Sequence, residues 1–361
     1  MTSNFLKNLG LLFISLAISL IILEIFLRVY NPIPERIKGG KIVLPTNRTY
    51  IIKNDKISSL DPIIKHTKNS LGFRGEEMPE NFSEFLSIIA VGGSTTEGYY
   101  LSDDKTWPAI LEKELKIYFP KVWVNNAGFD GHSTFGHQIL LDDYLVRIKP
   151  KLVIYLIGAN DVSRGDLNYG FDNRLLKNSY TNWLDFASKK SELVNFLVNV
   201  ARSLKAKKYG VGHGNIDLRK MEVMELDNYL VSKELDKHKL FIDGFYKRLS
   251  KLIKTTKDNQ MEPVLMTQPL LWGQGVDPST GVNLENVKID QLKNGKLDWQ
   301  ILELYNEKTR EVAKEYGVLL IDLARILPKD SRYFYDGSHY TNEGATAVAN
   351  IVNEELIKYL K

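Results

Sequence analysis

The stretch VGGSTTEG, residues 91–98, follows the apolar run FLSIIA (85–90) and reads as a buried strand entering a glycine-rich turn. Such a turn either cradles a phosphate or presents a nucleophile. A phosphate loop requires G-x-x-x-x-G-K-[ST]; Gly93 and Gly98 stand at the right interval, but Tyr99 and Tyr100 replace the lysine and the hydroxyl residue. Glu97 would also set a carboxylate beside the anion, where donors and positive charge are needed. The nucleophile reading is preferred, and it directs attention to partners for Ser94.

Working outward, four more short apolar runs carry strand character: VWVNNA (122–127), LVIYLIG (152–158), PVLMTQ (263–268) and VLLIDL (318–323). Between them TWPAILEKELKIYF, HQILLDDYLVRI and DWQILELYNEKTREVAKEY repeat apolar residues at three and four spacing, and NEGATAVANIVNEELIKYL closes the chain as a helix. Strands alternating with amphipathic helices predict an α/β fold, a doubly wound parallel five-stranded sheet covered on both faces. Residues 162 to about 260 separate two neighbouring strands and are expected to hold a helical insertion, with its KK (189–190) and KAKK (205–208) clusters as solvated faces.

The N-terminus differs from the rest. NLGLLFISLAISLIILEIFL (8–27) contains one charge, Glu24, and is long enough to cross a hydrocarbon core as a helix. Arg28, one turn on, offers Glu24 a partner at the interface. A cleaved signal peptide is the rival reading, but the run exceeds a usual signal core and no A-x-A site follows. The expected layout is an anchor over 1–30, a proline- and glycine-containing linker and approach over 31–80, and a catalytic-type domain over 81–361. Flanking charges counted naively favour a cytoplasmic body. Large domains behind one N-terminal anchor are nevertheless commonly exported, so the extracytoplasmic side is expected. A net charge of +4 on 361 residues gives no reason to expect nucleic acid, and the absence of cysteine excludes thiolate chemistry and disulfides.

Doubly wound sheets bind ligands outside the carboxyl ends of their strands. Ser94, Asn126 to Gly128, Gly158 to Asp161 and the DGSH loop (336–339) all follow predicted strands. A serine needs a base, and His339 lies three residues after Asp336, close enough for the carboxylate to orient the imidazole. His66, His213 and His238 stand in polar surroundings and read as surface residues, whereas His132 and His137 read as helix start or packing. Backbone N–H groups of Ser94 and Gly128 and the Asn160 amide are candidate donors to an oxyanion. Asn160 and Asp161 could instead only cap the next helix. A hydrolytic metal site of Asp161, Asp336 and His339 is a further alternative, without the local ligand spacing of known motifs.

The blocks GGST, NAG, GAND and DGSH, in this order after these strands, resemble the SGNH hydrolases, the GDSL-like lipase and acylhydrolase superfamily. NSLGFRG (69–75) also looks like an approach sequence of membrane-anchored members. The resemblance covers residues 85–350 outside the insertion. It implies a flavodoxin-like fold, Ser94 as nucleophile, Asp336 and His339 as acid and base, and Ser94, Gly128 and Asn160 as the oxyanion hole, with no cofactor and no metal. The usual G-D-S is G-G-S here, with Gly93 for the aspartate. The expected activity is a serine esterase or O-acyltransferase on ester-linked acyl groups of cell-surface or secreted polysaccharide, with lipid esters second. A catalytically silent glycan-binding or assembly subunit is the alternative. Trp183, Trp272 and Trp299 are candidate sugar platforms or core, and LLWGQGVDP (270–278) is the stretch expected nearest the cleft.

Overall fold

The computed structural model describes residues 2–30, 37–38, 41–165, 172, 183–208 and 213–361. Residues 31–36 and 39–40 of the expected 31–80 linker and parts of the 162–260 segment lie outside these, as do the side chains of the KAKK cluster. The helices are α1 (Thr2–Val29), α2 (Ser94–Glu97), α3 (Trp107–Leu115), α4 (Thr134–Leu140), α5 (Val146–Ile148), α6 (Trp183–Lys190), α7 (Glu192–Lys208), α8 (Asn228–Asp258), α9 (Gly295–Tyr316), α10 (Leu323–Ile326) and α11 (Asn342–Leu360). The strands are β1 (Ile37–Lys38), β2 (Lys41–Ile42), β3 (Arg48–Lys53), β4 (Ile63–Lys68), β5 (Leu86–Gly92), β6 (Val122–Gly128), β7 (Leu152–Leu156), β8 (Glu262–Met266) and β9 (Leu319–Ile321).

Two units divide the chain. The larger comprises Thr46–Leu176 and His213–Lys361 and holds a five-stranded parallel sheet in the order β6-β5-β7-β8-β9. This is the doubly wound order with its switch point beside the first strand, as the apolar runs predicted. The residues of β6 and β7, and all of β5 after Leu86, are buried, which is why these segments read as near-continuous apolar runs rather than alternations. Register decides what happens at their ends. Gly92 pairs with Gly128 on one side and Leu156 on the other, so three strands stop level and deliver their following loops to one edge.

The second half of the 162–260 segment is the crossover helix α8, which buries Ile242, Phe245, Leu249, Leu252 and Ile253 at helical spacing. Residues 46–80, expected as approach sequence, contain an antiparallel hairpin of β3 and β4, paired from Arg48↔Lys68 to Lys53↔Ile63. Beyond it the NSLGFRG turn is built on Asn69, whose Oδ1 accepts the N–H groups of Leu71 and Phe73 at 3.1 and 3.0 Å. Phe73 and Arg74 are both buried. Arg74 donates to the carbonyls of Glu97, Gly98 and Leu101 at 2.6 to 2.7 Å and pairs with Asp103. The motif therefore holds the segment that follows the nucleophile candidate.

The smaller unit comprises Met1–Pro45 and Lys177–Gly212. Its apolar helix spans Asn4–Val29 with mean hydropathy 2.6, long and apolar enough to cross a membrane. It packs with α7, and the short pair β1–β2 belongs to the same unit.

Candidate active site

Strand β5 ends at Gly92, and the chain turns at Gly93 into the single turn α2, whose first residue is Ser94. The turn is compact, with Glu97 N–H donating to Gly93 O at 2.9 Å and Gly98 N–H to Ser94 O at 2.9 Å. Ser94 Oγ lies 2.7 Å from His339 Nε2, and His339 Nδ1 lies 2.7 Å from Asp336 Oδ2. Residues 245 positions apart thus meet in one hydrogen-bonded line. The DGSH turn is preorganised: Asp336 Oδ1 accepts the N–H groups of Ser338 and His339 at 2.9 and 2.8 Å. Burial alone would raise the Asp336 carboxyl, but the His339 hydrogen bond and charge, with these two backbone donors, bring it below its ordinary range. A charged carboxylate on Nδ1 leaves Nε2 as the acceptor facing Ser94.

The oxyanion candidates converge on the same edge. Ser94 N–H opens a helix and has no intrahelical partner. Gly128 ends β6 against the backbone of Thr96 and Glu97, where a side-chain carbon would collide with main-chain atoms. Its N–H donates to Asn126 Oδ1 at 2.9 Å. Asn160 lies in the short turn Ala159–Asp161 and donates through Nδ2 to His132 O at 3.0 Å. Gly93 explains its own identity, since any Cβ there would fall inside contact distance of Asn160 Nδ2. The glycine that replaces the usual aspartate is thus the surface on which the amide rests.

Asp161 points elsewhere. It accepts from the backbone and hydroxyl of Thr134, the first residue of α4, and lies 3.5 Å from Arg248. Burial raises its carboxyl above the ordinary range. It fixes the start of a neighbouring helix, and the metal set Asp161, Asp336 and His339 does not assemble. Among the described residues, the His and carboxylate group close enough to share an ion is His213, Asp336 and His339. Two of its three members are bonded to each other as above.

His213 corrects the sequence reading. Its side chain is 8% exposed and its ring centroid lies 4.2 Å from that of His339. Nδ1 is 2.6 Å from the Tyr335 hydroxyl, and the Tyr335 ring stacks on His339 with planes 10° apart. Burial, then the charges of Asp336 and Asp130, push the Tyr335 phenol up, so it keeps its proton. Nothing in the polar, glycine-flanked sequence around His213 signals this contact. His66 is likewise buried, beside Tyr50 and Tyr99, while His238 is half-buried at Ser163. His132 and His137 are buried, in keeping with packing.

The tryptophans line no part of the recess. Trp272 is buried with its indole against Gly337, the ammonium of Lys329 covers Trp299 at 3.5 Å, and Trp183 belongs to the smaller unit. The recess beside Ser94 is lined by Thr95, Gly98, Leu101, Tyr335, His339 and Tyr340, and encloses about 200 Å³, part of it open solvent.

Residues 90–347 match the model of the GDSL-like Lipase/Acylhydrolase family. A segment of 78 residues is 32% identical to an arylesterase of Vibrio mimicus, covering 22% of this chain and 39% of that protein. The chain therefore matches about two fifths of that relative's length. Among solved structures, a protein of the G-D-S-L family from Desulfitobacterium hafniense is 14% identical, covering 75% of this chain and 99% of that one, with a TM-score of 0.42. An acetylxylan esterase from Geobacillus stearothermophilus is 16% identical, covering 75% and 92%, with a TM-score of 0.40.

Proposed function

Because the chain belongs to the GDSL-like lipase and acylhydrolase family, whose chemistry is ester hydrolysis, we propose that it is a serine esterase or O-acyltransferase with Ser94 as nucleophile. The observation that carries the reading is the unbroken line from Ser94 Oγ through His339 to Asp336, with both hydrogen bonds at 2.7 Å. As Ser94 Oγ attacks the ester carbonyl carbon, His339 Nε2 takes its proton and the carbonyl oxygen becomes an oxyanion. Asp336 stabilises the resulting imidazolium. Collapse of the tetrahedral intermediate breaks the bond to the alkoxy oxygen, which leaves as an alcohol with the proton from His339. The acyl-serine is then resolved by water or by a second hydroxyl.

The oxyanion takes hydrogen bonds from Ser94 N–H, Gly128 N–H and the second amide hydrogen of Asn160. Gly128 N–H is engaged by the Asn126 side chain at rest. A full negative charge is the stronger acceptor and competes successfully with that neutral carbonyl. Leu101, Tyr335 and Tyr340 wall the recess close beside Ser94 and His339, which favours a short acyl group. With α1 as an uncleaved anchor and the body on the extracytoplasmic side, O-acylated glycans of the cell surface are the substrate class that fits best. A silent binding subunit has no need of the aligned relay, and nothing in the site favours it.

The test is labelling by a fluorophosphonate probe. Wild type is expected to be labelled at Ser94 and to hydrolyse short esters, and Ser94→Ala to do neither while keeping its fold. Folded wild-type protein that resists the probe would remove the proposal. Offering an acetylated glycan with and without a second acceptor then separates hydrolysis from transfer.

A further inference from the structure

Glu24 and Arg28, near the C-terminal end of the N-terminal helix, are engaged within its own unit. Glu24 accepts the Ser191 hydroxyl at 2.7 Å and the backbone N–H groups of Glu192 and Leu193 at 3.0 and 2.9 Å. Those two N–H groups open α7 and have no intrahelical partner, so a carboxylate on α1 caps another helix of its own unit. Arg28 donates to Glu24 at 2.9 Å and to the Lys190 carbonyl, the end of α6, at 3.0 Å. Lys38 pairs with Glu192. The junction between α6 and α7 is therefore fixed level with Glu24, near the end of the apolar span, where a bilayer gives way to water.

What the two helices present there is amphipathic. Trp183, Phe186, Leu197 and Leu204 are 72, 57, 57 and 62% exposed, and Leu197 and Leu204, seven residues apart, share a face. Lys189 and Lys190 are exposed beside the junction, and the sequence places Lys205, Lys207 and Lys208 at the far end of α7. Exposed apolar side chains with an aromatic and flanking lysines suit the boundary between acyl chains and anionic headgroups.

We infer that α6 and α7 lie on the bilayer surface, with Trp183, Phe186, Leu197 and Leu204 at the acyl boundary and Lys189 and Lys190 among anionic headgroups. The inference rests on the reading of α1 as a membrane anchor. It gives Glu24 a purpose: the carboxylate ties the anchor to a surface-lying platform, and loss of α1 by cleavage would uncap α7.

The natural absence of cysteine allows a direct test on the full chain. Single variants Phe13→Cys, Leu197→Cys and Leu204→Cys, with Lys251→Cys as an exposed reference, are spin-labelled in nanodiscs containing phosphatidylglycerol. Collision with oxygen, which concentrates in lipid, is compared with collision with a water-soluble nickel chelate. Labels at 13, 197 and 204 are expected to favour oxygen several-fold over the label at 251. Adding Glu24→Ala is expected to move 197 and 204 towards the chelate and leave 13 unchanged. Chelate-accessible labels at 197 and 204 with 13 in lipid would overturn the platform and spare the anchor. Labels at 197 and 204 shielded from both reagents would mean a protein contact and also overturn it. A chelate-accessible label at 13 would refute the anchor, and the platform with it.

Discussion

Position 93 carries the sharpest residue-scale consequence. A side chain there meets Asn160 Nδ2, so restoring aspartate in Gly93→Asp should displace the amide rather than improve the site. Loss of one oxyanion donor predicts a fall in kcat on the order of a hundredfold with little change in KM, read from steady-state hydrolysis of a short ester. Unchanged kcat would separate Asn160 from the chemistry. Asp336 supplies a pH test. Its carboxyl is held below the ordinary range, so its stabilising share is complete above about pH 4 and fades as pH falls through the lower folded value. Chemical unfolding followed across acid pH should show that slope in wild type and a shallower one in Asp336→Asn. The meeting of Ser94 with His339 and Asp336 was legible because these residues stand in short motifs, GGST and DGSH, in the loops that follow predicted strands. His213 was not, because its place beside His339 is made by a contact between distant segments with no local pattern.

At the scale of elements, the loop after Ser94 is held from outside. Arg74 gives three hydrogen bonds to carbonyls between Glu97 and Leu101, and burial, opposed by the Asp103 charge, lowers its guanidinium from its ordinary value. A lysine's three donors on one point cannot serve the three carbonyls and Asp103 together. Arg74→Lys is expected to lose about 3 kcal/mol of stability, because buried carbonyls go unpaired, and equilibrium denaturation should reveal it. An unaltered midpoint would show that the loop holds itself. The five sheet strands were readable from their apolar runs, with edges displaced by a residue or two; β9 is the clearest case, three residues where the sequence suggested six. The hairpin of β3 and β4 was hidden by charged residues such as Lys53, Lys65 and Lys68, which made the segment look like linker. Lys68 is in fact buried, paired with Glu97 and set over the Phe129 ring.

For the molecule as a whole, the narrow recess predicts selectivity by acyl length. Rates on p-nitrophenyl esters should fall steeply from acetate to octanoate, and widening the wall with Leu101→Ala should lift the longer esters relative to acetate. A profile that rises with chain length would redirect the substrate class from short acyl groups to lipids. The doubly wound order followed from alternating strands and helices; the two-unit division did not, because the pairing of α1 with α6 and α7 joins segments far apart in sequence through a few polar contacts. One more consequence follows from the distance along the chain between Ser94 and His339. During synthesis the Ser94 hydroxyl emerges 245 residues ahead of the His339 imidazole, so on the function proposed above the growing polypeptide carries its serine for a long stretch without the base that would take the proton. On that reading, ester chemistry waits until the loop over residues 336–339 has been made and folded against the turn of Ser94, and a copy that stops short of it is inert.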